Sequence, residues 1–382
     1  ASWSDPLSNT NYCSPLNVLV FNSSVSSYDA DLASTALGDI GDAGKTASGV
    51  TDRVGDLEGI TGNDYFIGRS GASVNELCDG KTITSLGGVS GICPEGPTVA
   101  GSYLMPGLAY QAKTNRIRSD LSAVPSDDDR SLKVTTYGVQ LATNVPTLKI
   151  KVPGLASSPE VVIQPIYRLD YPGRGLGGGS LVDLKIVSQD VVGSTVRGKV
   201  YVNWEDSEQG GDYDQDVWGI IEYELDAAAN TVRVTTDVIA ESTNQPQGFG
   251  YAISGTTKDG AHFHSGIGDT STTGFNFTDP TGVTGCSNCQ LNDPPVSVTY
   301  TLGSNVAKEL EDPLFYAAKY GGFIETGSGN QIPDLASEWD VRDTNGFPVS
   351  DGIPDNYFFV ANPLALEASL DRAFISILAT SS

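Results

Sequence analysis

The chain has 382 residues, and its 22 Lys and Arg against 47 Asp and Glu leave a formal charge of −25. Acidity on this scale repels phosphate backbones, so nucleic acid is a poor partner and divalent cations are better ones. No stretch approaches the run of about 18 apolar residues that a membrane-spanning helix needs, and 44 Gly with 20 Pro suit a turn-rich β protein.

The first residues, ASWSDPLSNT, have neither the basic nor the apolar stretch of a signal peptide, so an upstream segment is expected to have been removed. Residues 1–145 read as α/β. LNVLVF (Leu16 to Phe21) is short, apolar and β-branched, the pattern of a strand buried on both faces of a parallel sheet. Ala30 to Leu37 is a weak helix candidate, and residues 38–100, rich in Gly, Ser and Asp, read as loop. Tyr103 to Arg118 is expected to be helical and Lys133 to Leu141 to form a second central strand.

From 146 to 300 the period changes. LKIKV, VVIQPIYRL, SLVDLKIV, VRGKVYVNW, VWGIIEYEL, TVRVTTDVI, GYAISG and VSVTYTL are short β-branched and aromatic runs parted by Gly, Asn, Asp or Pro. That is the pattern of an antiparallel β-sandwich.

Beyond 300 helical signals return. Ser304 or Asn305 is placed to cap a helix through VAKELEDPLFYAAKY, and Asp312 with Pro313 to begin a second one. NYFFVAN reads as a strand. Asn362 then caps a helix with Pro363 in its first turn, and Leu366, Leu370, Phe374 and Ile377 follow on one face. The simplest architecture is one α/β domain, residues 1–145 and 301–382, interrupted by an all-β domain over 146–300.

Five cysteines are present. Cys286 and Cys289 form a lone CxxC in a Gly- and Asn-rich loop, without the second CxxC of a zinc ribbon or the βαβ context of a redox motif, and read as a local disulfide. Cys78 and Cys93 flank a Gly-rich stretch and can close a second loop, which leaves Cys13 without a partner. Disulfides point outside the cytosol.

Four strings resemble the type IV pilus tip-associated adhesin and biogenesis family, the PilY type. They are LAYQAKTNRIRSDL with KVTTYGV; VYVNWEDSEQGGDYDQDVWG with ISGTTKDGAHFHSG; DPLFYAAKYGGFI; and IPDLASEWD with DGIPDNYFFVANPLALEASLDRAF, in family order over roughly residues 13–378. The resemblance implies an α/β von Willebrand factor A-like domain, incomplete here, with an inserted all-β, sandwich-like domain. It further implies a middle region that lacks the first strands of the A-like domain and a C-terminal β-propeller.

An A-like metal site would lie after the strand Leu16 to Phe21. By family order this is a later strand ending in Thr-Asp-Gly, and Asn22, Ser23 and Ser24 occupy those places; read instead as a degenerate DxSxS first motif, the segment has Asn22 for Asp, and either way the carboxylate that would hold a hard cation is missing. Two acidic loops are better calcium candidates. GGDYDQDV sets Asp212, Asp214 and Asp216 at alternate positions beside Glu205, Asp206 and Glu208, and six acids in twelve residues repel one another unless a cation intervenes. In SEWDVRDTNGFPVSDGIPD, Asp340, Asp343, Asn345, Asp351 and Asp355 stand where the resembling family often has a compact calcium-type loop. His262 and His264 in HFH share a strand face. A metal pair needs a third ligand that the sequence does not locate, so they read as structural.

Three functions follow, from different classes. The resemblance implies a non-enzymatic, calcium-stabilised extracellular module for pilus assembly and surface adhesion, with minor pilins or the pilus tip and a host or abiotic surface as partners. The alternatives are a secreted polysaccharide hydrolase using Glu205 or Glu208 near Trp204 and Trp218, or a structural filament-associated protein.

Overall fold

The computed structural model describes residues 5–23, 25–31, 33–94, 96–128, 130–141, 147–171, 175–206, 214–243, 245–268, 273–303, 307–326, 329–343 and 345–380. The chain opens with β1 (Leu16–Asn22), a short ribbon of β2 (Ala36–Leu37) and β3 (Asp42–Thr46), and α1 (Ala47–Leu57). Next come β4 (Asp64–Arg69), β5 (Asp79–Thr82), β6 (Ser90–Ile92), α2 (Leu104–Thr114) and β7 (Val134–Leu141). After the β-rich middle, α3 (Pro313–Gly322), a single turn α4 (Ala336–Trp339), β20 (Tyr357–Val360) and α5 (Leu366–Thr380) complete it.

β7 is the centre of a three-stranded parallel sheet. Leu16 of β1 faces Val134, and Tyr357 of β20 faces Gly138. β7 is covered on both faces, with Tyr137 and Val139 fully buried. On one face Val20 packs with Ala109 of α2 and with Leu314, Ala317 and Ala318 of α3; on the other, Leu19, Val139 and Val360 pack against Leu366, Leu370 and Ala373 of α5. β1, expected to be buried on both faces, is an edge strand among the described residues, and Val18 and Phe21 stay nearly half exposed. An apolar β-branched run therefore marked the parallel sheet but not the strand's place in it.

Asp312 accepts a hydrogen bond from the Leu314 amide at 2.7 Å, with Pro313 in the first turn, as a helix start requires. The preceding helix is not formed over 307–312. There Lys308 exchanges backbone hydrogen bonds with Asp64 and Phe66 and extends along β4; Ser304 and Asn305 lie outside the described residues. Ala30 to Leu37 is likewise not a helix. Tyr28 and Asp29 are tied to Val99 and Ser102, and the segment runs through a turn into β2.

Residues 38–100, expected as loop, hold α1 and the antiparallel sheet β5-β4-β6. Gly49 and Gly55 dilute the helical signal of α1, but Thr46 caps it through the Gly49 amide, and Val50 and Val54 are buried. In α5 the Asn362 cap is as expected, accepting from the Leu364 amide at 3.0 Å. Its buried positions are Ser369 and Ala373, with Leu366 and Leu370 beside them, while Phe374 is half exposed. A 3-10 turn over Pro363–Ala365 precedes the helix proper.

The middle is a two-layer antiparallel sandwich. Its strands are β8 (Leu148–Ile150), β9 (Val161–Tyr171), β10 (Gly175–Gly177), β11 (Gly179–Val192), β12 (Thr195–Asp206) and β13 (Val217–Asp226). They continue with β14 (Thr231–Glu241), β15 (Gln247–Ser254), β16 (Gly260–Ile267), the hairpin β17 (Phe275–Phe277) and β18 (Cys286–Cys289), and β19 (Val296–Thr301). One sheet runs β10-β9-β15-β16 with β8 on β9, and the other β11-β12-β13-β14-β19. Alternate residues meet in the core, as period-two strands dictate: Tyr167, Leu169, Phe249 and Tyr251 against Val202, Trp204, Ile221 and Tyr300, with Tyr167 stacked on Trp204 at 5.7 Å.

β16 departs from that alternation, since all eight of its residues are buried. Its outer face is covered by Leu77 and Cys78 together with Phe275, Phe277 and Cys286, so the first segment and the β17–β18 hairpin clamp the sandwich. Both clamps carry disulfides, Cys78–Cys93 and Cys286–Cys289. Cys13 is exposed and, among the described residues, outside any disulfide.

Candidate metal centres

The turn from β12 to β13 gathers acids because the two strands are locked in register up to its base, Trp204 facing Val217. Glu205, Asp206 and Asp216 are each only 3% exposed, while Asp214 is exposed. Gln215 adopts a left-handed backbone (φ 68°), and its amide donates to Glu205 at 3.0 Å. The Asp206 amide donates to Asp216 at 2.5 Å. Carboxylate oxygens of Glu205, Asp214 and Asp216 then lie within 4.8 Å of one another.

This close set of acids has an electrostatic signature. Burial pushes Asp216 up to about 6; the Asp206 amide opposes this, and the charges of Asp206, Asp214 and Glu205 add to it. A hard dication with oxygen ligands fits such a donor set, because it offsets charge that the buried carboxylates otherwise hold against each other. Of the three alternate aspartates, two converge, and Asp212 lies outside the described residues together with Glu208. Glu205, singled out as a catalytic candidate, belongs instead to this cluster.

The second acidic loop is organised differently. Asp340 is buried and accepts from the amides of Asp351 (3.0 Å) and Gly352 (2.8 Å) and from the Ser350 hydroxyl (2.6 Å). Asp343 accepts from the amides of Asn345 and Phe347, Asp351 from that of Ile353, and Asp355 from those of Val341 and Arg342. The carboxylates thus serve as local caps on backbone N–H groups. Among the described residues, no three of them bring oxygens within 4.8 Å of one another.

At the C-terminal end of the parallel sheet, where open α/β sheets bind ligands, the Asn22 amide donates to Gln140 at 2.9 Å. An amide pair stands there. The sequence reading missed a cavity of about 600 Å³ between α1, α2 and residues 329–331, whose lining includes Lys45, Arg53, Tyr110 and Gln111. It is built from α1, which the Gly-rich composition hid.

Residues 1–112 match the family model described as PilY1 homolog, second domain, and residues 182–299 match the one described as PilY1 homolog, beta-sandwich. A type IV pilus biogenesis factor PilY1 homolog of Xylella fastidiosa is 26% identical over 412 aligned residues, which cover 96% of this chain. The chain belongs to the PilY1-type family. It spans about a quarter (26%) of the length of that PilY1 homolog. The PilY1 β-sandwich match falls on β11 to β19, which hold one complete sheet, two of the five strands of the other, and the β17–β18 hairpin. No solved structure matches the chain.

Proposed function

We propose that this chain is a non-catalytic module of a type IV pilus biogenesis factor, displayed outside the cell at the pilus tip. There it contributes to pilus assembly and to attachment to host or abiotic surfaces. The observation that carries the reading is the ordered pair of family matches, second domain followed by β-sandwich, on a chain aligned over 96% of its length with a pilus biogenesis factor. The sheet β1-β7-β20, parallel and with helices on both faces, supports reading that unit as part of a von Willebrand A-like domain with the sandwich inserted between β7 and β20. The sandwich is then the contact-making part, with minor pilins as partners. Among the described residues no helix is long and apolar enough to cross a membrane.

Calcium is the proposed structural cofactor, held by Glu205, Asp214 and Asp216 with Asp212 in the same loop, where it would brace the β12–β13 turn. The test of the pilus reading is immunogold labelling of sheared filaments with antibody to residues 146–300. Gold at filament tips is the expected result. Gold along the whole shaft would favour a structural subunit, and label only in the soluble medium would sink the pilus reading.

A further inference from the structure

The HFH run on β16 places two imidazoles inside the sandwich. His262 and His264 are 0% and 1% exposed, and their rings stack with centroids 5.7 Å apart. The third ligand that the sequence did not reveal is supplied by the loop between β17 and β18. Asp279, 5% exposed, puts its Oδ2 2.6 Å from His262 Nδ1. One ligand atom from each of His262, His264 and Asp279 lies within 4.8 Å of the other two.

We propose that His262, His264 and Asp279 bind one borderline transition-metal dication, of the zinc class, in the interior of the sandwich. Two nitrogens and one carboxylate oxygen suit such an ion, whereas calcium prefers oxygen alone. Each ligand also has the outer support that orients metal ligands in proteins. His262 Nε2 lies 2.8 Å from the Lys258 carbonyl, and His264 Nε2 lies 3.2 Å from the Tyr300 hydroxyl, itself 2.7 Å from that of Tyr251. The second Asp279 oxygen accepts from the Thr281 amide (2.8 Å) and hydroxyl (2.7 Å).

One feature favours an ion over a closed hydrogen-bond network, and it lies at His262 rather than at His264, whose buried ring has the Tyr300 hydroxyl on one side and a backbone hydrogen bond with Thr284. His262 presents both nitrogens to acceptors, Asp279 Oδ2 and the Lys258 carbonyl, so without a metal the ring needs two N–H groups to satisfy them. A dication at the Nδ1 side would replace that proton and leave Nε2–H on the Lys258 carbonyl, with the His262–Asp279 pair opening from 2.6 Å to the roughly 3.3 Å that two ligands of one tetrahedral ion keep. This inference is independent of the pilus reading and of the acidic calcium candidate.

The chain contains only two histidines, so their imidazole nitrogens can be followed by NMR without any substitution. Protein refolded from denaturant with Zn²⁺ or Co²⁺, then freed of excess ion, is expected to retain one equivalent. Both histidine rings should shift on Zn²⁺ binding, and Co²⁺ should give visible bands of a low-coordinate nitrogen-containing site. The Tm should rise by about 3–5 °C. His264→Gln and Asp279→Asn should each abolish retention, while Asp214→Asn should leave it intact. No retained metal after refolding, or retained metal with both rings unmoved, would overturn the proposal; so would retention that survives both substitutions. If either variant fails to fold, the histidine shifts of the unaltered chain decide.

Discussion

The hydroxyls of Tyr251 and Tyr300 lie 2.7 Å apart across the interior of the sandwich, one from each sheet. Both residues are at most 2% exposed, and burial drives both phenols well above their ordinary range, so the pair is a neutral hydrogen bond between the layers. Tyr300→Phe leaves the Tyr251 hydroxyl without this partner in a dry core. The expected cost is about 1–3 kcal/mol in urea unfolding. Tyr251→Phe combined with Tyr300→Phe should cost less than the two single changes added together, because neither hydroxyl is then left facing an apolar ring; strict additivity would show that the hydroxyls do not couple.

Asp312 makes stability depend on pH. Burial pushes its carboxyl up to about 6, with the Leu314 amide opposing and Glu311 adding to the rise. A carboxyl raised in the folded state contributes stability that is complete below its unfolded value near 4 and is lost as pH rises through about 6. Asp312→Asn keeps an oxygen for the Leu314 amide and cannot ionise. The variant should therefore be more stable than the parent at pH 7.5 by about 1–2 kcal/mol, after discounting for partial exposure, and little changed at pH 4. A melting curve at each pH checks the sign, and a loss of stability at pH 7.5 would refute it.

Gly138 sets how closely α3 sits on the parallel sheet. A Cβ there would lie 2.6 Å from Leu314 Cγ, so Gly138→Ala must push the helix or the leucine aside. Overpacking of this kind costs about 1–3 kcal/mol. Leu314→Ala opens a cavity on its own, yet it should relieve part of the Gly138→Ala penalty when the two are combined. Four denaturation curves measure the coupling, and its absence would place the strain elsewhere.

The acidic turn gives a calcium test of its own. Adding calcium should raise the Tm, chelator should reverse the rise, and Asp214→Asn with Asp216→Asn should largely remove it. Equivalent changes at Asp343 and Asp351 should leave the calcium response in place, since those carboxylates already cap backbone amides. Identical melting with calcium and with chelator would end the calcium reading.

Much of this protein is written locally. Alternating β-branched residues gave the sandwich strands, Asp312-Pro313 and Asn362-Pro363 gave two helix starts, and the spacing of Asp214 and Asp216 gave one candidate site, because each signal depends on neighbours a few residues away. The sequence grouped six acids but could not show which of them meet Asp214 and Asp216, Glu205 being selected by the β12–β13 register, nor that Asp279 reaches His262 from 17 residues along. Nor could it show that β1 is an edge strand, that residues 307–312 extend along β4 rather than coil, or that the outer face of β16 is covered by the disulfide-closed segment from Cys78 to Cys93. The chain by itself determined where backbone hydrogen bonds close on near neighbours. Burial, and the meeting of side chains from distant strands, were decided by tertiary packing, because only the folded sheets fix which segment covers which face.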